Sequence, residues 1–247
     1  MKEKWSIDES TLKIIACVSM LIDHIGAAII LPMIQAGRMP EVPLIWGNYN
    51  LWSFVYAGMR LVGRLAFPIY LMLLIEGFEH THHLKRYTTR LLIFAFISEI
   101  PFDLAIYRSA ISWQRQNVFF SLFIGLLMMT GFRYVMTHFK DYFAVLLMDG
   151  MILAVGMAVA WFIRCDYGMF GIAALAVMYA LRIDKREALF GSIIVLTIHA
   201  SNEVAALATI PLAHFYNGER GKSWKYVFYV FYPVHLLLLY LIYRGML

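Results

Sequence analysis

The sequence predicts an all-α fold, a polytopic transmembrane helical bundle of about eight spans, and three observations predict it. Apolar residues make up 62% of the 247 positions, against roughly 45–50% in soluble domains. Mean hydropathy is +0.69. Long apolar runs recur along the whole chain, with no hydrophilic stretch able to fold as a soluble appendage. A single integral membrane domain over residues 1–247 is therefore expected.

The runs fall at about 13–33, 52–76, 88–107, 117–136, 143–163, 167–182, 189–213 and 225–243. Most have the length a helix needs to cross a hydrocarbon layer of roughly 30 Å. The first is too long for a cleavable leader and carries Asp23 and His24 in mid-span. The second contains Pro68 and the third Pro101, each of which frees a carbonyl and bends its helix. The sixth is short, and so is tilted, re-entrant or paired tightly with the fifth. Trp5, Trp46, Trp52, Trp113 and Trp224 flank the runs as interfacial anchors.

The net charge of +5 belongs to loops that meet anionic headgroups, and does not point to nucleic acid. With the amino end inside, Lys2, Lys4, Lys13, Lys85, Arg86, Arg90, Arg133, Lys140, Arg182, Lys185, Arg186 and Arg244 fall on the cytoplasmic side. Arg38, Arg108, Arg115, Arg164, Arg220, Lys222 and Lys225 fall on the other. This bias places both termini in the cytoplasm of a bacterial inner membrane. Cys17 and Cys165 lie within and at the end of apolar runs and do not form a disulfide framework; Cys17 reads as a buried structural thiol. His80, His82 and His83 sit beside Lys85 and Arg86 and read as a solvated face, so no metal site is expected.

The informative residues are polar groups inside the spans. Insertion of Asp or Arg at a helix centre costs near 3 kcal/mol. Asp23, Arg60, Arg64 and Asp103 would together cost roughly 12 kcal/mol facing lipid, so they face one another or a watered cavity. In the first helix Lys13 and His24 are separated by ten residues. At 100° and 1.5 Å per residue they share a face about 16 Å apart, which sets His24 deep below a basic mouth. A histidine there serves as a general base. Asp23 points about 100° away and is free to pair with an arginine of the second span.

Arg60 and Arg64 are one turn apart and repel unless an anion or carboxylate lies between them. They form either an anion clamp, suited to carboxylate or phosphate, or ion pairs with Asp23, Glu99 or Asp103. Glu99 and Asp103 stand at i and i+4 around Pro101. His199 and Glu203 fall on one face of the seventh run and read as a possible dyad.

These motifs resemble the TraX family of inner-membrane proteins. The likeness is carried by Leu12-Lys-Ile-Ile-Ala16 running to Met20-Leu-Ile-Asp-His-Ile-Gly26, Gly63-Arg-Leu-Ala-Phe-Pro68, Glu76-Gly77 and Arg90-Leu-Leu. It continues through Ser98-Glu-Ile-Pro-Phe-Asp103, Gln116-Asn-Val118, Asp166-Tyr-Gly168, Tyr216-Asn-Gly218 and Phe228-Tyr-Val-Phe-Tyr-Pro-Val-His235. That family is tied to N-terminal acetylation of conjugative pilin. A more distant similarity is to bacterial membrane O-acyltransferases, which carry Lys or Arg, ten residues, then His in their first helix.

The resemblance implies a membrane-embedded acyltransferase with acetyl-CoA as co-substrate, surrounded by membrane lipids. The acceptor is open: a peptide amino terminus, a glycan or a small molecule. His24, Asp23, Glu99 and Asp103 are the expected catalytic group. Lys13, Arg60, Arg64, Asn117, Tyr167 and His235 are the expected binders of acyl-CoA. Asp166 and Asn217 are motif positions without an assigned role. Buried carboxylates and proline-broken helices also suit a small-molecule or proton-coupled transporter. A scaffold of an envelope machine is the third alternative.

Overall fold

The computed structural model describes residues 6–40, 42, 50–222 and 225–246. Lys2, Lys4, Trp5, Trp46 and Trp224 lie outside the described residues. The described chain is helical nearly throughout. In order come α1 (Glu9–Ile25), a π-helical turn (Gly26–Ile30), α2 (Leu31–Gln35), α3 (Leu51–Gly63), α4 (Ala66–His80) and α5 (Leu84–Tyr107). There follow α6 (Val118–His138), α7 (Tyr142–Phe162), α8 (Gly168–Ala180), α9 (Lys185–His199), a 3-10 helix (Ser201–Thr209), α10 (Ile210–Phe215) and α11 (Lys225–Gly245).

Among the described residues, five helical stretches are long and apolar enough to cross a membrane: Glu9–Gln35, Leu51–His80, Val118–His138, Tyr142–Phe162 and Tyr226–Gly245. At 24 residues α5 has the length, but Lys85, Arg86, Arg90, Glu99 and Asp103 lower its hydropathy. The fold is an all-α polytopic bundle.

Helix ends follow the local sequence. Asp8 begins α1, its carboxylate accepting the Thr11 amide at 2.7 Å. Asn117, Asp141 and Asp184 cap α6, α7 and α9 in the same way, satisfying amides that have no partner within the helix. The second apolar run is interrupted between α3 and α4 at Arg64 and Leu65. Pro68 lacks the N–H that would bond the Arg64 carbonyl, and its ring crowds that carbonyl.

The chain packs as two compact units. The first comprises Met1–Ile69, Ile100–Ile111 and Ala205–Leu247. Its frame is α1, α3 and α11. Gly26 packs against Met59 and Tyr56, and the Ser19 hydroxyl donates to the Val62 carbonyl at 2.6 Å, so α3 runs antiparallel to α1. The other neighbour behaves differently. Lys13 lies over the Phe228 ring, His24 meets Tyr232 and His235, and Arg108 joins the Ala28 carbonyl to the Tyr243 ring. These contacts ascend both helices together, so α11 runs parallel to α1.

The starts of the two helices also lie together. Ile7 bridges Tyr216, and its carbonyl accepts the Asn217 amide at 3.0 Å. The segment before α11 thus returns to the amino-terminal end of α1. α1 and α11 thus start at one end of the first unit and run in the same direction. Arg220 and Lys222 stand near Lys13 at that end.

The seventh run is corrected: it is not one helix. Ala200 takes extended angles (φ −151°, ψ 123°) after α9, and the chain resumes as the 3-10 helix and α10. His199 and Glu203 therefore do not share one helical face.

The second unit comprises Tyr70–Glu99 and Ser112–Val204. Here α6, α7, α8 and α9 pack in sequence, with Gly125 admitting Leu175 and Gly131 admitting Ile152. The outer face of α7 leaves Phe143, Leu146, Leu147, Met151 and Val155 exposed, as a lipid-facing helix does.

Candidate functional site

In the first unit, Asp23 and His24 point to different partners, as their 100° separation requires. Asp23 is buried. One of its carboxylate oxygens accepts from Arg60 at 2.6 Å and the other from Arg64 at 3.0 Å. The two guanidinium groups that would repel each other are thus joined through one carboxylate. The Arg64 side chain is 11% exposed and that of Arg60 28%. Arg64 Nε also donates to the Arg60 carbonyl at 3.0 Å. Gly63 makes the arrangement possible: a Cβ there would lie 2.0 Å from an Asp23 oxygen.

His24 meets His235. Nδ1 of His235 is 2.7 Å from the Phe231 carbonyl, one turn earlier on α11. A carbonyl only accepts, so this Nδ1 carries a proton, and in the neutral ring Nε2 is the acceptor. That Nε2 lies 2.7 Å from Nδ1 of His24, which therefore donates. The hydrogen-bond network thus assigns the tautomer of a neutral His24: its lone pair is on Nε2. The rings stack at 5.0 Å and 17°, and Tyr232 meets both edge-on. This packing fixes the imidazole planes.

Lys13 shares the His24 face of α1 but is engaged at the helix start, where it pairs with Glu9 and lies 5.5 Å above the Phe228 ring. Asp103 is buried at 1% exposure.

The second unit holds the remaining expected residues. Asn117 is fully buried. Its side-chain amide donates to Glu99 and, at 2.7 Å, to the Ala95 carbonyl, while its oxygen caps α6. Glu99 thus ties the start of α6 to α5. Tyr167 precedes α8 at φ +61°, and Asp166 accepts its amide at 3.2 Å. Glu76 pairs with Lys185 at 3.3 Å, and Glu79 with Arg182 at 3.3 Å and Arg133 at 3.6 Å. His199 stacks on Phe170, and Glu203 is buried separately.

Sequence reasoning missed three things. It read His235 only as a binder of the coenzyme and did not pair it with His24. It noted Gly63 without seeing that Asp23 fills the space of its missing side chain. It also did not see that Asn117 joins Glu99 to the start of α6.

The chain is similar over most of its length to known proteins. The family model described as TraX protein matches residues 8–243. A curated relative, "Probable fimbrial assembly protein FimC, serogroup H1" of Dichelobacter nodosus, is 28% identical over 257 residues, covering 92% of each chain. No solved structure matches. The matched span takes in α1 with Asp23 and His24, the arginines of α3, the Glu99–Asn117 tie and nearly all of α11 with His235. The chain belongs to the TraX protein family.

Proposed function

We propose that this protein is a membrane-embedded acetyltransferase that moves an acetyl group from acetyl-CoA to an amine or hydroxyl, with a peptide amino terminus the favoured acceptor. The observation that carries this reading is the His24–His235 pair, which directs the His24 lone pair to Nε2. A base of this kind takes the acceptor proton as the acceptor attacks the thioester carbonyl. The new C–N or C–O bond forms, the C–S bond breaks, and the CoA thiolate leaves and receives that proton from His24.

Arg60 supports the charge that develops on the thioester oxygen. It is the less enclosed of the two arginines and keeps donors beyond the one given to Asp23. Asp23 and Arg64 hold it in place. The coenzyme phosphates meet the amino-terminal face, where Lys13, Arg220 and Lys222 stand. The family's link to pilin acetylation and the fimbrial assembly name of the relative favour a pilus or fimbrial subunit as the protein modified.

A second reading has one observation behind it. Asp23 already pairs with both arginines, as a purely structural cluster does, and a non-catalytic component of an envelope assembly machine needs no more. Equilibrium binding of radiolabelled acetyl-CoA to the purified protein in detergent separates the two. The acetyltransferase reading expects saturable binding displaced by CoA. Absence of binding to folded protein contradicts it and leaves the assembly component.

A further inference from the structure

The second unit contains a cavity that neither the histidine pair nor the arginine cluster uses. Its volume is about 580 Å3, within the range of small-molecule sites. It lies where α7 ends and α8 begins, and its lining includes Arg115, Trp161, Phe162, Arg164, Tyr167 and His199. We propose that this cavity binds an amphiphilic phosphate ester, with Arg115 and Arg164 on the phosphate and the aromatic wall on the apolar part.

Charge argues first. The lining carries two guanidinium groups and no carboxylate. Asp166, outside the lining, forms a long ion pair with Arg115 at 3.9 Å and accepts the Tyr167 amide, which leaves Arg115 N–H groups for a ligand. Arg164 gives one N–H to the Trp113 carbonyl at 3.1 Å, and its other donors have no partner among the described residues. Arginine's planar fork matches phosphate geometry.

The backbone adds to the same field. The N-terminus of α8 is in the lining, no side chain caps it, and its first turn holds no acidic residue. Its partial positive charge suits an anion. Arg164 and Tyr167 sit at φ +58° and +61°, followed by Gly168 at +51°. Non-glycine residues take such angles only where surroundings hold them there, and here both side chains line the cavity. Cys165, also in the lining, is buried, which pushes its thiol up to about 12 and favours the neutral form.

The apolar part follows from position. Trp161 and Phe162 end the lipid-facing helix α7 at 66% and 79% exposure, where a bilayer meets water. A phospholipid headgroup in the cavity with its chains along α7 satisfies both walls. A soluble phosphate would use the arginines alone.

The test uses the full-length protein in detergent and two probes, dihexanoyl-phosphatidylglycerol and inorganic phosphate, with binding followed by calorimetry. Wild type is expected to bind the lipid saturably, and Arg115→Gln/Arg164→Gln about tenfold or more weakly. Lys140→Gln, a basic change elsewhere, is expected to bind as wild type. Competition by inorganic phosphate at equal strength would assign the site to a free phosphate. Weak competition assigns it to the lipid. Equal lipid binding by wild type and the double variant overturns the proposal. Should the double variant not fold, phosphatidylglycerol with a photoreactive headgroup decides on wild type alone. Cross-links within 114–115 or 161–168 support the site, and cross-links confined elsewhere overturn it.

Discussion

Nδ1 of His24 stands 2.7 Å from Nε2 of His235, and the Phe231 carbonyl behind His235 decides which nitrogen donates. A backbone oxygen on α11 therefore sets the proton position of a side chain on α1. The two helices hold this register because they run parallel, with Lys13 over Phe228 at one end and Arg108 against Tyr243 toward the other.

Asp23 is expected to be the most costly single truncation in the first unit. Asp23→Ala leaves two guanidinium groups facing each other without their shared carboxylate. Breaking a buried pair in this way costs about 3–5 kcal/mol. Thermal unfolding in detergent should show a large loss, and Arg60→Gln, at the more exposed end of the cluster, a smaller one. Equal small losses would mean that the pairs contribute little.

Gly63→Ala is expected to destabilise, against the usual sign. In an ordinary helix interior this change gains roughly 1 kcal/mol. Here the new methyl would lie 2.0 Å from an Asp23 oxygen, and overpacking costs about 1–3 kcal/mol. A melting temperature at or above wild type would show that Asp23 relaxes away freely.

Asp8 gives a pH dependence outside the spans. The Thr11 hydroxyl, then the Thr11 amide, holds its carboxyl below the ordinary value of 3.8. A depressed carboxylate stabilises the folded state above its unfolded pKa, and that contribution is lost as pH falls through the folded one. Asp8→Ala should therefore lower stability by about 1 kcal/mol at neutral pH. The gap to wild type should close below about pH 4. A gap independent of pH would remove the charge from the cap.

The parallel run of α1 and α11 makes a labelling prediction. Arg220→Cys and Met246→Cys, each in a background with Cys17 and Cys165 replaced, should react with a membrane-impermeant maleimide from opposite sides of sealed vesicles. Labelling of both from one side would contradict the parallel arrangement of α1 and α11.

Much of this was legible before the structure. Hydropathy placed every apolar run on helix, and the cost of charge in lipid required a partner for Arg60 and Arg64, which Asp23 supplies. Apolar content does not distinguish one helix from two shorter ones, so the break at Ala200, which carries neither proline nor glycine, left no sign in the sequence. Ile7, pairing by backbone with Tyr216, left no mark in composition. The His24–His235 contact joins residues 211 positions apart, and helical periodicity speaks only to neighbours on one helix.

The most direct test of the catalytic claim compares acetylated envelope proteins, by mass spectrometry, from cells carrying wild type, His24→Gln, His235→Ala or no copy of this chain. The account predicts an acetyl group present with wild type, absent without the protein and absent with His24→Gln. With His235→Ala, which removes the acceptor for the His24 Nδ1 proton, its rate of appearance should fall about a hundredfold. Full acetylation by a stably folded His24→Gln protein would contradict it.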